Sequence, residues 1–164
     1  MLTMLKFLKK IRNLFFRSIY TSRDTGPIDS ACPKILGSLT KEQLHGIFRV
    51  LPIDLSFVDE KNLNRFVLLG HEPVFDRDEG IIGIPVRDCH NDQSRPMVDQ
   101  ILDDFRSGKQ NACDFWMTHK GRFVHIKYLA VRNHDGKYLG TLEFIYDGTK
   151  TRSLEGARHE LIYD

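Results

Sequence analysis

The sequence predicts an α+β fold: a five-stranded antiparallel sheet with helices on one face, preceded by an amphipathic N-terminal helix. Three observations predict it. Five short apolar runs read as strands, and turn signals separate the first two and the last three. A longer stretch with helical period stands between the second run and the third. The first twenty residues place apolar and basic side chains on opposite sides of a helical wheel.

In chain order, residues 1–20 are a basic amphipathic helix. Met4, Leu8, Ile11, Phe15 and Ile19 share one face; Lys6, Lys9, Lys10, Asn13 and Arg17 fall largely on the other. Lys9, Lys10 and Arg12 break the apolar run, so it is too short to span a bilayer. It also lacks the apolar core and small-residue cleavage site of a secretory signal. Such a helix can pack on the domain or across a dimer, lie on an anionic membrane surface, or remain unstructured. Residues 21–37 hold Gly26, Pro27, Pro33 and Gly37 among small polar residues and read as a linker.

Residues 38–150 carry the domain and residues 151–164 a C-terminal tail. Thr40 is placed as an N-cap with Gln43 three residues on, which is the spacing of a capping box. Leu44, Ile47, Phe48 and Leu51 give that helix its apolar face, and Pro52 ends it. Strands are expected over 53–58 and 65–69, with a turn at 59–62 and a stop at Gly70. From His71 to Asp88 no period is sustained, as expected of short helices and a loop over one sheet face. A helix follows over 91–106. Asn91 or Ser94 is its cap, Pro96 lies in its first turn, and Gly108 stops it. Met97, Ile101, Leu102 and Phe105 define its apolar side. Strands over 114–118 and 123–132 meet near Lys120-Gly121, and Asn133-His-Asp-Gly turns the chain into a last strand over 138–146.

The composition excludes several classes. The chain has 164 residues, 41% of them hydrophobic, enough for one domain with a real core. The net charge of +2 gives no reason to expect a nucleic acid as partner. That total hides an asymmetry: residues 1–20 hold five basic residues and no acid, and without them 19 basic residues face 22 acidic ones. The three cysteines, Cys32, Cys89 and Cys113, form no CxxC pair and no even framework, so neither disulfides nor a zinc finger is expected and a reducing cytoplasm is the simplest compartment. No GxSxG, P-loop, HExxH or GxGxxG is present, so an enzyme is not expected. The acidic pair Asp103-Asp104 reads as a solvated helix face. His125, between Val124 and Ile126 on a strand, points to the side opposite theirs. Trp116, beside Phe115, reads as core or as association surface.

The element order, together with the residues, resembles the PAS domain. Leu51-Pro-Ile-Asp-Leu-Ser-Phe-Val-Asp-Glu, then Phe75, Arg77, Ile82-Gly83 and Cys89-His90, resemble the opening of a bacterial PAS subgroup found after hemerythrin-type or related helical domains. Phe105-Arg-Ser-Gly, Phe115-Trp116, Ile126-Lys-Tyr-Leu-Ala-Val-Arg, Gly136, Tyr138-Leu-Gly and Leu142-Glu143 are similar to its later strands. Asp147-Gly-Thr149 stands where PAS domains commonly carry an Asp-Ile-Thr ending, and Leu154-Glu-Gly-x-Arg resembles the subgroup's tail. The likeness covers residues 37–164. Two departures stand out: Asn91-Asp92-Gln93 replaces a Pro-Pro-Lys, and Gly148 replaces the isoleucine of the ending. Only the basic helix and linker precede the domain here, so di-iron chemistry is not expected of this chain.

The resemblance implies a sensory or protein-interaction domain that acts through partners, with a pocket between the long helix and the sheet. Cys89, His90, Met97, Ile101, Phe105, Phe115, Met117, Ile126 and Tyr128 are the expected lining. Cys89 and His90 at its mouth are the candidate metal or haem ligands, since thiolate and imidazole are good donors. No CxxCH motif accompanies them, no dense set of His, Asp or Glu stands near them in sequence, and no cofactor is the leading expectation. The expected partners are a second copy of the chain in a homodimer, an unidentified protein and a small apolar ligand, in a cytoplasmic protein. Haem or metal sensing, and peripheral membrane attachment through the basic helix, are the alternatives.

Overall fold

The computed structural model describes residues 39–77 and 79–163. The expected helix over 1–20 and the linker over 21–37 lie outside the described residues. By internal contacts, residues 39–47 with 132–137 form one compact unit and the remaining described residues form another.

Helix α1 (Lys41–Val50), whose residues up to Ile47 belong to the first unit and whose last turn belongs to the second, begins with the expected capping box. The Thr40 N–H donates to Gln43 Oε1 at 2.9 Å, and the Gln43 N–H donates to Thr40 Oγ1 at 3.1 Å. Two otherwise orphaned donors at the helix start are thereby satisfied. No residue of α1 is buried. The first unit also holds the turn at Asn133, whose Oδ1 accepts the N–H groups of Asp135 and Lys137.

In the second unit, β1 (Asp54–Asp59) and β2 (Asn64–Leu68) form an antiparallel hairpin. Asp59 Oδ1 accepts the Lys61 and Leu63 N–H groups and shapes its turn. Two short 3-10 turns, Glu79–Ile81 and Val86–Cys89, lead to helix α2 (Arg95–Ser107). Strands β3 (Ala112–His119), β4 (Arg122–Arg132) and β5 (Tyr138–Asp147) follow, then one helical turn, α3 (Thr149–Arg152). The strands form one sheet in the order β2-β1-β5-β4-β3. Lys120 and Gly121 both take positive φ, 48° and 78°, as a two-residue hairpin turn between β3 and β4 demands. Gly140 (φ 152°) lies so close to β1 that a Cβ would stand 2.2 Å from the Val58 carbonyl oxygen.

Helix α2 starts four residues later than the sequence suggests. Asn91 makes a turn of its own instead, its Oδ1 accepting the Ser94 N–H at 3.0 Å. Ser94 occupies the cap position, but its hydroxyl turns back toward His90 and Asn91 and caps nothing. The helix packs on β5 with Leu102 and Phe105 buried, Phe105 at 1% exposure. Val98 takes the inward place expected of Met97, which is exposed. The Arg106 guanidinium lies over the Tyr138 ring. A core of Val74, Val124, Ile126 and Ile145, with Phe75, Phe115 and Tyr128 against it, holds the other end of the sheet.

Asp54 fastens the loop that runs from β2 toward the site. It is buried, and its two carboxylate oxygens accept the Gly70 N–H at 2.8 Å and the Val74 N–H at 2.9 Å. Asp54→Ala strands both donors and is expected to cost about 1–3 kcal/mol in chemical denaturation. A loss within ~0.5 kcal/mol would show that the loop is held without it.

Candidate functional site

Strand alternation gives the sheet two faces, and on β1 and the middle of β5 their chemistry is the reverse of the usual pattern, while Val124, Ile126 and Ile145 keep the inner face apolar at the other end. Leu55 and Phe57 of β1 pair with Phe144 and Leu142 of β5, and with Leu68 and Phe66 of β2, on the face away from α2. Phe48, in the last turn of α1, stacks against Phe66 on that outer face, with ring centroids 6.0 Å apart. The face toward α2 receives Ser56, Val58, Thr141 and Glu143, all buried. A polar centre beneath a helix must be hydrogen-bonded within the protein.

Glu143 is that centre. One carboxylate oxygen accepts Ser56 Oγ–H at 2.8 Å and an Arg77 Nη1–H at 2.5 Å. The other accepts Tyr128 Oη–H at 2.8 Å and an Arg77 Nη2–H at 3.3 Å. Three strands and one loop thus converge on a single carboxylate, and the arginine forms a fork against it. Burial pushes the Glu143 carboxyl upward. Arg77, Ser56 and Tyr128 outweigh burial and hold it below the ordinary carboxylate value. Arg77 is lowered by its own burial and raised more strongly by Glu143, so the pair stays ionised. The Tyr128 hydroxyl is driven far upward by burial and by the adjacent carboxylate and remains a donor.

Two cavities meet at this network. A small one, about 40 Å³, lies under α2 between Val98, Ile101 and Leu102 above and Val58, Thr141 and Tyr128 below. It has room for about one or two waters. A larger cleft of about 370 Å³ opens beside it, floored by Ser56, Asn64, Arg77 and Glu143 and walled by Ile81, Ile84, Val86, Cys89 and His90. Ser56, Val86, His90 and Glu143 border both.

His90 therefore sits where the two meet, while Cys89 lines the larger cleft only. The Cys89 thiol takes an N–H from Asn64 Nδ2 at 3.5 Å, and burial pushes its pKa up, away from the thiolate. His90 Nδ1 lies 3.4 Å from Ser94 Oγ. Burial lowers the His90 pKa, Glu143 opposes this and Arg77 adds to it, so the ring is neutral near pH 7. Among the described residues, no group of three or more His, Cys, Asp or Glu is placed to hold a metal ion.

The other expected lining residues are distributed more widely. Ile101 and Tyr128 line the small cavity. Phe105 and Ile126 are buried, and Phe115 is half-buried with its ring edge-on to Tyr128 at 5.9 Å. Met97 and Met117 are exposed at 47% and 43% and line neither cavity. Ser56, Asn64, Arg77, Thr141 and Glu143 were not expected there. Trp116 is 67% exposed on the outer face, opposite His125.

At the end of β5, Asp147 Oδ1 accepts the Thr149 N–H at 2.9 Å, and its Oδ2 lies 3.9 Å from Arg122 Nε. Thr149 Oγ1 in turn accepts the Phe123 N–H at 2.7 Å, fixing where the tail leaves the sheet.

The strand order, the helix across β5 and a pocket between them define the class: a PAS-type domain. The chain belongs to the PAS domain family, whose sequence model matches residues 44–149. Among solved structures it is similar to the C-terminal domain of a Streptococcus mutans protein, with 27% identity and a TM-score of 0.65, covering 71% of this chain and 91% of that one. Two more distant fold neighbours come from Vibrio cholerae. The VqmA dimer, a LuxR-type receptor, has 21% identity and a TM-score of 0.48 over 71% of this chain and 55% of that one. A sensory box sensor histidine kinase has 13% identity and a TM-score of 0.45 over 63% of this chain and 87% of that one. No curated protein matches the sequence. No helix of the described residues is long and apolar enough to cross a membrane.

Proposed function

We propose that this chain is a sensory and protein-interaction domain without catalytic activity of its own. A small molecule in the cleft beside α2 biases the loop and helix between two arrangements, and a partner protein reads the difference. One observation carries this reading: an ion pair of buried Glu143 with the partly buried Arg77 stands at the cleft, with Glu143 where the two cavities meet. It joins a strand of the sheet to the loop over it, so a ligand touching the pair touches both. A ligand shifts such a balance only by binding the two arrangements unequally.

Native mass spectrometry of the purified chain tests this. The expected result is a protein that carries or takes up an organic molecule in the range of a few hundred daltons, with no haem or stoichiometric metal. His90→Ala is expected to lower stability while leaving the bound content unchanged. A Soret band or bound metal that disappears in His90→Ala would transfer the reading to a haem or metal sensor.

The partner surface we propose is the outer face, where Leu55, Phe57, Leu68, Leu142 and Phe144 remain only half-buried and Trp116 is exposed. Apolar area of that kind favours association. Read as a helix, segment 1–20 would present Met4, Leu8, Ile11, Phe15 and Ile19 on one side, and a homodimer would use both surfaces. Deletion of residues 1–20 is expected to weaken self-association in analytical ultracentrifugation. Equal association of the full and shortened chains would count against this arrangement.

A further inference from the structure

The cleft floor carries a second polar group that the protein itself leaves half used. Asn64 is 3% exposed, more deeply buried than Glu143 at 7%. Its Nδ2 donates to the Ile84 carbonyl at 2.9 Å and to Cys89 Sγ at 3.5 Å. A carbonyl only accepts, so the Ile84 contact fixes which end of the amide is nitrogen. The backbone of Asn64 is also committed, its N–H to the Ile84 carbonyl and its C=O to the Gly83 N–H. That leaves Oδ1, and among the described residues no donor reaches it. No buried side-chain oxygen or nitrogen among the described residues lacks a partner, so Oδ1 keeps contact with solvent in the cleft and is open to a donor from a molecule bound there.

Arg77 provides the opposite chemistry. Two of its five N–H groups point at Glu143, and its side chain is 25% exposed at the cleft. Its charge is already balanced by that carboxylate. His90 is neutral and Cys89 is held as a thiol. The remaining ionisable lining residues are acids, Asp76 and Asp88, both on the exposed side. An anionic ligand would therefore meet a spent arginine, an amide oxygen and three carboxylates. A cation would find the floor carboxylate already neutralised.

We propose that the cleft selects a small uncharged molecule with an amide-type edge, its N–H donating to Asn64 Oδ1 and its C=O accepting from Arg77. This rests on the sensory reading above and specifies its ligand. A cleft of about 370 Å³ lies within the range of small-molecule sites, and Asn64 and Arg77 both line it, one offering an acceptor and the other donors that can orient a ligand. A site that pairs such a group disfavours analogues that lack it, because they displace solvent from Oδ1 without replacing its hydrogen bond.

Three near-isosteric probes test it on the full chain: benzamide, which has both groups; N,N-dimethylbenzamide, which has no N–H; and benzoate, which has neither the donor nor neutrality. Titrations followed by ¹H–¹⁵N correlation spectra should show saturable shifts of the Asn64 side-chain amide and Arg77 Nε signals with benzamide. The two analogues should bind about tenfold more weakly, roughly the net worth of one hydrogen bond. Asn64→Ala, checked for folding by its dispersed spectrum, should abolish the preference. If benzoate or the dimethyl compound saturates the same signals as well as benzamide does, the ligand class is wrong while the sensory cleft stands. If none of the three saturates them at the solubility limit, the inference fails, and the cleft as a ligand site loses its support with it.

Discussion

Arg77→Ala is expected to destabilise the domain by about 3–5 kcal/mol, because it leaves the Glu143 carboxylate buried without its counter-charge. The pH dependence should change sign as well. In the native protein the Glu143 carboxyl is held below its ordinary value. Its contribution is therefore present above the unfolded carboxyl pKa and is lost as pH falls through the folded one. Without Arg77, burial dominates and the folded pKa rises above the unfolded one. The carboxyl then favours the folded state only when protonated, and that contribution is lost as pH rises through the new folded value. Urea unfolding followed between pH 7 and pH 5 should thus show Arg77→Ala gaining stability on acidification while the native chain does not. A second variant separates charge from packing. Arg77→Met combined with Glu143→Leu removes both charges and is expected to recover most of the loss. A cost below ~1 kcal/mol for Arg77→Ala, with no inversion of the pH slope, would show that the pair organises nothing.

The sequence made the frame of this domain legible, and the reason is local. Thr40 with Gln43, Lys120-Gly121, Asn133 to Gly136 and Gly108 each act within a few residues, and each appears in the structure in the role its chemistry dictates. The start of α2 was less legible because Asn91 and Ser94 are both good caps. The competition was settled by Asn91 closing its own turn.

The site was hidden for a different reason. Period-two alternation separates the residues of a strand into two sets but does not say which set faces the helix. The usual assumption places polar residues outward, and it assigns Ser56, Thr141 and Glu143 to solvent. Here they face inward, while Leu55, Phe57, Leu142 and Phe144 face outward. The inversion is bearable only because Arg77 arrives from a loop 66 residues away in the chain to neutralise Glu143. Nothing in the local pattern around either residue announces that pairing. A trace existed, since Phe75 with Arg77 and Leu142-Glu143 both belong to the segments that resemble the family. Two opposite charges within such segments could have been tested as a pair.

The inversion also bears on how a signal could leave the domain. The loop that carries Arg77 is held at three further points: Val74 N–H by Asp54, the carbonyls of Glu72, Pro73 and Val74 by the Arg122 guanidinium, and Phe75 by the core. Arg122 also lies 3.9 Å from Asp147, where the tail departs. Pocket and tail are thus joined by contiguous contacts. Double-mutant cycles between Arg77 and Asp147 measure the coupling these contacts carry, and a nonzero interaction energy is the expected result.

Phe105→Ala is expected to cost about 3–5 kcal/mol, the range for emptying a fully buried aromatic site. The residue ends the inward face of α2, one helical turn before Gly108 closes the helix with a left-handed backbone (φ 79°). The packing of α2 on β5, which this side chain serves, also borders the small cavity. Emptying the Phe105 site should therefore do more than destabilise. Phe105 stands outside the lining of the small cavity, but loosening α2 would withdraw Val98, Ile101 and Leu102 from its roof. Phe105→Leu keeps most of the volume and should retain most of the stability. Equilibrium denaturation of the three proteins measures the effect. A Phe105→Ala loss below ~1 kcal/mol would mean that α2 is not seated on the sheet by this residue, and the pocket would then need another roof.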